Sequence, residues 1–82
     1  MHKNAAIVYW IERGSGELRS QTMEPHDLRG SGTYESEVRI KYAVDPLEMT
    51  TIYCSRFGND WERSEVERLK ALSASLRKDR AE

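Results

Sequence analysis

The sequence is poor in the residues that build disulfide frameworks and metal sites. Its 82 residues include one cysteine, Cys54, and two histidines. One cysteine excludes an intramolecular disulfide framework, and it does not combine with two histidines in a four-ligand zinc spacing. We therefore expect no metal, no cofactor and a reducing compartment, the cytoplasm.

Long apolar runs and an excess of charge of one sign are also missing. No apolar run approaches the roughly 20 residues that a membrane-spanning helix needs. The short run 5–11 lacks a signal-peptide cleavage pattern and is interpreted as a strand, so no membrane contact is expected. Lysine and arginine number 13 against 14 acids, a net charge of −1. Such a chain has no global field that attracts nucleic acid or an anionic membrane.

What the chain does contain is enough apolar residues for one core. Hydrophobic residues make up 38% and charged residues 33% of the sequence, which is polar but not the composition of a disordered chain. A domain of this length buries about 60% of the surface that its unfolded chain exposes. A single small domain over residues 1–82 is expected.

Four segments have the residue pattern of β-strands. Residues 5–12 are apolar on both alternating faces, which predicts a central strand covered on two sides. Residues 17–23 follow a glycine-rich turn and predict an edge strand that completes a hairpin. Residues 33–44 alternate between apolar and charged side chains, and residues 50–57 form a β-branched and aromatic run, so both predict strands. The charged face of the segment 33–44 consists of Glu35, Glu37, Arg39 and Lys41.

A C-terminal helix and a long loop complete the predicted fold. Asn59 followed by Glu62 is a helix-start signature, and a stripe of Trp61 and three leucines predicts a helix over residues 60–78. Residues 24–32 hold Pro25 and several other turn formers and predict a loop. The expected class is α+β: a three- or four-stranded antiparallel sheet with one C-terminal helix on one face, in the order ββββα.

A sheet covered by one helix leaves the second apolar face of residues 5–12 to be covered by the long loop or by a partner chain. We therefore expect a non-enzymatic binding module acting on another protein, or on a second copy of this chain as a homodimer. Its role would be that of an inhibitor, adaptor or regulator; small bacterial or phage-encoded regulators and defence inhibitors share this size and charge balance. The expected binding residues are Tyr9, Trp10, Tyr34, Arg39, Lys41 and Tyr42.

A nucleic-acid-binding module is the alternative hypothesis, with a basic face either on the sheet, at Arg39, Lys41 and Arg56, or on the helix. Arg63, Lys70 and Arg77 recur at seven-residue spacing and so lie along one side of the predicted helix, where they would follow a phosphate backbone. Six acids and six bases share residues 60–82, and this balance favours a solvated polar face over a nucleic-acid contact.

Three further features have a catalytic or phosphate-binding interpretation. His26 and Asp27 are adjacent, a spacing that rarely gives a catalytic pair, so a solvated turn is favoured. Cys54 is interpreted as a packed residue. Arg-Gly-Ser-Gly occurs at 13–16 and at 29–32, but neither copy matches a phosphate-loop motif, so both predict turns.

Overall fold

The strands form a single antiparallel sheet within the residues that the computed structural model describes, which are 4–28, 32–56 and 58–80. The order across the sheet is β2-β1-β3. Its strands are β1 (Ala6–Ile11), β2 (Leu18–Met23) and β3 (Glu48–Tyr53).

The described residues also form two helices, and the order of the elements along the chain is ββαβα. They are α1 (Tyr34–Tyr42) and α2 (Asp60–Arg80), and one-turn 3₁₀ helices span Pro25–Asp27 and Cys54–Arg56. The predicted α+β class and antiparallel sheet are confirmed. The predicted order ββββα with a single helix is wrong, because a helix replaces the third of the four predicted strands.

β1 is the central strand of the sheet, as its two apolar faces predicted. It pairs with β2 from Ala6 opposite Met23 to Ile11 opposite Leu18, and with β3 over the same six residues. β3 ends at Tyr53, before the predicted end at residue 57, because the chain turns into a 3₁₀ helix there.

Residues 33–44 were predicted as a strand, and that prediction is wrong, since most of them form α1. Tyr34 and Val38 are four residues apart and both buried, which places them on one face of a helix. Val38, Ile40 and Tyr42 had suggested a period of two. The charged row predicted for a strand face has its acids in the first helical turn and its bases in the last, which complements the helix dipole.

Local hydrogen bonds define both ends of α1. At its start, Thr33 Oγ1 accepts a hydrogen bond from the Ser36 backbone N–H at 3.1 Å, the usual role of an N-cap threonine. At its end, Ala43 adopts the left-handed conformation with φ 51° and ψ 47°, and Val44 N–H donates to the Arg39 carbonyl at 3.1 Å. Glycine is preferred at such a C-cap, so packing of the helix must offset the strain at Ala43.

The two helices cover opposite faces of the sheet. On one face, Val8 and Trp10 pack with Val38 of α1 in one buried cluster. On the other, Arg68 of α2 donates to Glu48 at 3.1 Å, and Glu48 lies opposite Ile11, whose side chain points away from Trp10. α1 therefore covers the second apolar face of β1, which the long loop or a partner chain was expected to cover.

α2, which corresponds to the helix predicted at 60–78, crosses its face of the sheet and reaches the β1–β2 turn. Val66 and Leu69 are buried, whereas Trp61, predicted to share their stripe, is 59% exposed. The buried Ser73 hydroxyl donates to the Gly16 carbonyl at 2.7 Å. This bond ties the second half of α2 to the hairpin.

The predicted loop 24–32 contains the first 3₁₀ turn. Asp27 Oδ2 accepts a hydrogen bond from the Glu24 backbone N–H at 2.9 Å, which closes this turn. Residues 29–31, which hold most of the second Arg-Gly-Ser-Gly copy, lie outside the described residues. The first copy lies in the β1–β2 turn, where the Ser15 hydroxyl donates to Glu12 at 2.7 Å.

Candidate functional site

A groove of about 350 Å³ runs over the edge strand β2 on the α1 side of the sheet. α1 packs mainly on β1 and β3, whereas α2 contacts all three strands on the other face. The α1 side of β2 is therefore only partly covered: Met23 is buried there, whereas Gln21 is half-buried. The groove is lined by Gln21, Met23, Asp27, Glu37, Ile40 and Lys41.

Ile40 forms an exposed apolar wall of this groove. It lies two residues beyond the fully buried Val38, which rotates it by about 200° to the outer side of the helix. As a result 71% of Ile40 is exposed. Met23, at 3% exposure, supplies an apolar floor beneath it.

Tyr42, at the end of α1, contacts Gln21 of the groove lining. Its ring centroid lies 5.4 Å from that of Trp10, and its hydroxyl donates a hydrogen bond to Gln21 Oε1. Lys41 Nζ lies 5.4 Å from the Tyr42 ring centroid, within the range of a cation–π contact. Glu37, four residues before Lys41 on α1, lines the same groove, so the rim carries both signs of charge.

No protein-family model, curated protein or solved structure matches this chain. No known activity is therefore carried over to the groove, and its function is inferred from its own geometry and chemistry. No described helix is both long enough and apolar enough to cross a membrane. Within the described residues, no group of three or more His, Cys, Asp and Glu side chains is placed to hold a metal ion.

The predicted binding residues divide between the two faces of the sheet. Trp10, Tyr34 and Tyr42 lie on the α1 side, whereas Tyr9 alternates with Trp10 along β1 and faces α2. Trp10 and Tyr34 are 4% and 6% exposed and so support the surface without forming it. Lys41 and Tyr42 are exposed at the groove.

Arg39 is exposed away from the groove lining. Its Nη2 lies 3.9 Å from Asp45 Oδ1, and Arg13 Nε lies 3.5 Å from the other oxygen of the same carboxylate. This arrangement links the β1–β2 turn to the loop after α1.

Gln21, Met23 and Ile40 were not indicated as site residues by the sequence patterns. The sequence signal that would have indicated them is the four-residue spacing of Tyr34 and Val38, which follows the N-cap residue Thr33. Read as a helix, that spacing turns Ile40 outward and places it beside β2.

Tyr34 anchors the start of α1 to the N-terminal segment. Its hydroxyl donates to the Asn4 carbonyl at 2.7 Å, and its ring lies 6.1 Å from that of Tyr53. Burial, with the neighbouring Tyr53 as a smaller cause, raises the pKa of Tyr34 above its ordinary value. Burial also raises the pKa of Tyr9, and the nearby Cys54 is a smaller cause of the same shift.

The basic row on α2 is interleaved with acids. Arg63 Nη2 lies 2.6 Å from Asp60 and Lys70 Nζ lies 3.5 Å from Glu67. Arg77 lines a separate shallow hollow with Lys70. The surface at these three residues is of mixed charge and offers no continuous basic track.

The second charged cluster on α2 faces the sheet edge. Arg68 bonds both Glu65, at 3.2 Å, and Glu48, at 3.1 Å. The hydrogen bond from Arg68 lowers the pKa of Glu65. This cluster has the arrangement of a surface ion-pair network that fixes α2 on β3.

The residues with a catalytic interpretation have ordinary structural contacts. His26 is exposed, with Nε2 3.6 Å from Asp27 Oδ1 and Nδ1 3.8 Å from Glu24 Oε2. The other oxygen of Asp27 closes the 3₁₀ turn. Cys54 is half-buried at the end of β3, and its backbone N–H donates to the Ala5 carbonyl.

Proposed function

We propose that this chain is a non-enzymatic protein-binding module that acts as an inhibitor, adaptor or regulator by occupying a surface of another protein through the groove over β2. The observation that carries the proposal is the exposed Ile40 beside an apolar groove that the fold leaves only partly covered. A cytoplasmic location, expected from the single cysteine, is part of the same proposal.

The groove offers exposed apolar and aromatic groups that a partner can bury. Burying an isoleucine side chain fully contributes about 1.5 to 3 kcal/mol, and most of that contribution at Ile40 is still available because the side chain is 71% exposed. Tyr42 adds an exposed aromatic ring whose hydroxyl is held by Gln21. Aromatic and large aliphatic side chains next to a pocket are typical of residues that dominate binding energy.

The polar groups around the groove supply orientation. Lys41 and Asp27 line the same groove with opposite charges, so a partner must match both signs. Such complementarity selects partners and sets the register of a complex more than it adds affinity.

Variants at two exposed apolar residues test the proposal. We expect Ile40→Asp to abolish capture of a protein partner from a lysate of the cells that express this chain. Trp61→Asp is the matched control, because Trp61 is 59% exposed and lies on α2, on the other face of the sheet. The control variant is expected to capture the same partner as the wild type.

The capture is repeated after nuclease treatment and at raised salt. A partner that depends on Ile40 and withstands nuclease supports a protein-binding groove. Capture by the Ile40→Asp variant equal to that of the wild type contradicts the proposal. Loss of the partner on nuclease treatment or at modest salt would instead indicate nucleic acid.

A further inference from the structure

The outer edge of β2 presents backbone groups that no described strand pairs with. Glu12 N–H donates to the Glu17 carbonyl at 2.8 Å, so these two residues form a hydrogen-bonded pair in the antiparallel ladder. Hydrogen-bonded and non-hydrogen-bonded pairs alternate along the strands. The register therefore directs the backbone N–H and C=O groups of Arg19, Gln21 and Met23 toward β1. The N–H and C=O groups that point to the open edge belong to Leu18, Ser20 and Thr22, and of these the Thr22 carbonyl already accepts a hydrogen bond from Gln21 Nε2 at 2.9 Å.

The groove lies directly beside this open edge. Gln21 and Met23 line the groove and belong to β2 itself. A strand added to the edge would have its residue opposite Gln21 in a non-hydrogen-bonded pair, where side chains approach most closely. That residue would point to the α1 side of the sheet, next to the exposed Ile40.

Charges at the two ends of the groove set the charge pattern of an added antiparallel strand. Asp27 lies at the Met23 end, four residues beyond it in the chain, whereas Lys41 lies next to Tyr42, which bonds Gln21. A strand running antiparallel to β2 starts at the Met23 end. It would present a basic residue there, an apolar residue opposite Gln21, and an acidic residue two positions later.

We propose, on the basis of the proposed protein-binding function, that the partner contributes an extended segment that pairs antiparallel with the free edge of β2 and has the pattern basic, any, apolar, any, acidic. Main-chain hydrogen bonds supply affinity in this mode of recognition, and alternate side chains supply specificity.

The β2 edge of a second copy does not have that pattern. A two-fold pairing of β2 edges centred on Ser20 sets Arg19 of the copy opposite Gln21, where the pattern has its apolar residue. It also sets Glu17 of the copy opposite Met23, at the Asp27 end. Acids then meet at the Asp27 end and a charged residue takes the apolar position, which disfavours the homodimer through this edge in this register.

The test uses the full chain and the peptide Thr-Lys-Thr-Leu-Thr-Glu-Thr, with a control peptide in which lysine and glutamate are exchanged. Affinities are measured by NMR titration, and amide hydrogen exchange is measured with and without peptide. Two variants accompany the wild type: Ser20→Pro, which removes one outward N–H, and Ser20→Ala, which keeps it. Far-UV circular dichroism checks that both variants fold.

We expect the first peptide to bind about three- to tenfold more tightly than the exchanged peptide, the range that two reversed surface charge pairs give. Ser20→Pro should weaken binding about two- to tenfold, the effect of one lost hydrogen bond, while Ser20→Ala binds as the wild type does. Bound peptide should slow exchange at the three outward amides of β2. It should leave exchange at the inward amides of β2 unchanged.

Several results would overturn the strand-pairing proposal. The proposal is contradicted if neither peptide binds at millimolar concentration, or if both peptides bind with equal affinity. It is also contradicted if Ser20→Pro binds the first peptide as tightly as the wild type does. Concentration-dependent protection of the outward amides without peptide would identify a second copy as the occupant. If strand pairing fails in one of these ways while Ile40→Asp still abolishes partner capture, the protein-binding function stands and only the mode of recognition is wrong.

Discussion

Substituting alanine at Val38 and at Ile40 separates a helix from a strand at α1. In a strand these two residues would point to the same side of the sheet. In α1 they lie on opposite sides, with Val38 fully buried and Ile40 71% exposed. The structure therefore predicts a large loss of stability for Val38→Ala and almost none for Ile40→Ala.

The magnitudes follow from burial and helix propensity. Val38→Ala removes two buried carbons at about 0.8 kcal/mol each and leaves a small cavity, while alanine regains about 0.5 kcal/mol of helix propensity. The expected net loss is about 1 to 2 kcal/mol. Ile40→Ala removes three carbons that are less than a third buried, about 0.7 kcal/mol, and propensity offsets most of it.

Urea denaturation followed by tryptophan fluorescence and far-UV circular dichroism measures both free energies of unfolding. In thermal denaturation, Val38→Ala should lower the melting temperature by about 4 to 16 °C, since 1 kcal/mol corresponds to about 4 to 8 °C in a domain of this size. Ile40→Ala should stay within about 0.5 kcal/mol of the wild type. Equal losses for the two variants, or a larger loss for Ile40→Ala, would refute the assignment of α1 as a helix.

Three other substitutions test local features by the same assay. Gly16→Ala should destabilise the fold by about 1 to 3 kcal/mol, because φ at Gly16 is +74° and the new Cβ would lie 3.1 Å from a side-chain carbon of α2. The control Gly14→Ala should change stability little, because no atom lies within 4 Å of its new Cβ. Equal effects of the two variants would contradict this packing. Ala43→Gly should stabilise by about 0.5 to 1 kcal/mol, because Ala43 has φ 51°, and a loss would show that the left-handed cap is not formed. The pKa of Tyr34 is raised in the folded chain, so its contribution to stability is complete below about pH 10 and is lost as the pH rises through the folded-state pKa. Tyr34→Phe should therefore flatten the fall in stability above about pH 10, and a steeper fall would contradict the raised pKa.

Strong local patterns made the sheet predictable. β1 has apolar residues on both faces, and only a central, doubly covered strand satisfies them. The β1–β2 hairpin was indicated by its glycine-rich turn. The class and the antiparallel sheet followed from these features.

α1 was not predictable from alternation alone because its sequence satisfies two periods at once. Val38, Ile40 and Tyr42 fit a strand, while Tyr34, Val38 and Tyr42 fit a helix. Thr33 as the N-cap and the order of acids before bases favoured the helix, and its packing on Trp10 is a tertiary contact that no local pattern contains. The candidate groove escaped prediction for the same reason, since its wall exists only when Ile40 is on a helix.

The difference in length between the helices explains why the groove exists. α2 has 21 residues and is about 31 Å long, whereas α1 has nine and is about 13 Å long. A helix is about 10 Å wide and adjacent strands are about 4.8 Å apart, so a short helix seated over β1 and β3 covers β2 only in part. Stability and binding are thereby separated on α1: Val38 supports the fold and Ile40 faces the groove. A variant at Ile40 that loses its partner while keeping its free energy of unfolding therefore reports on binding itself.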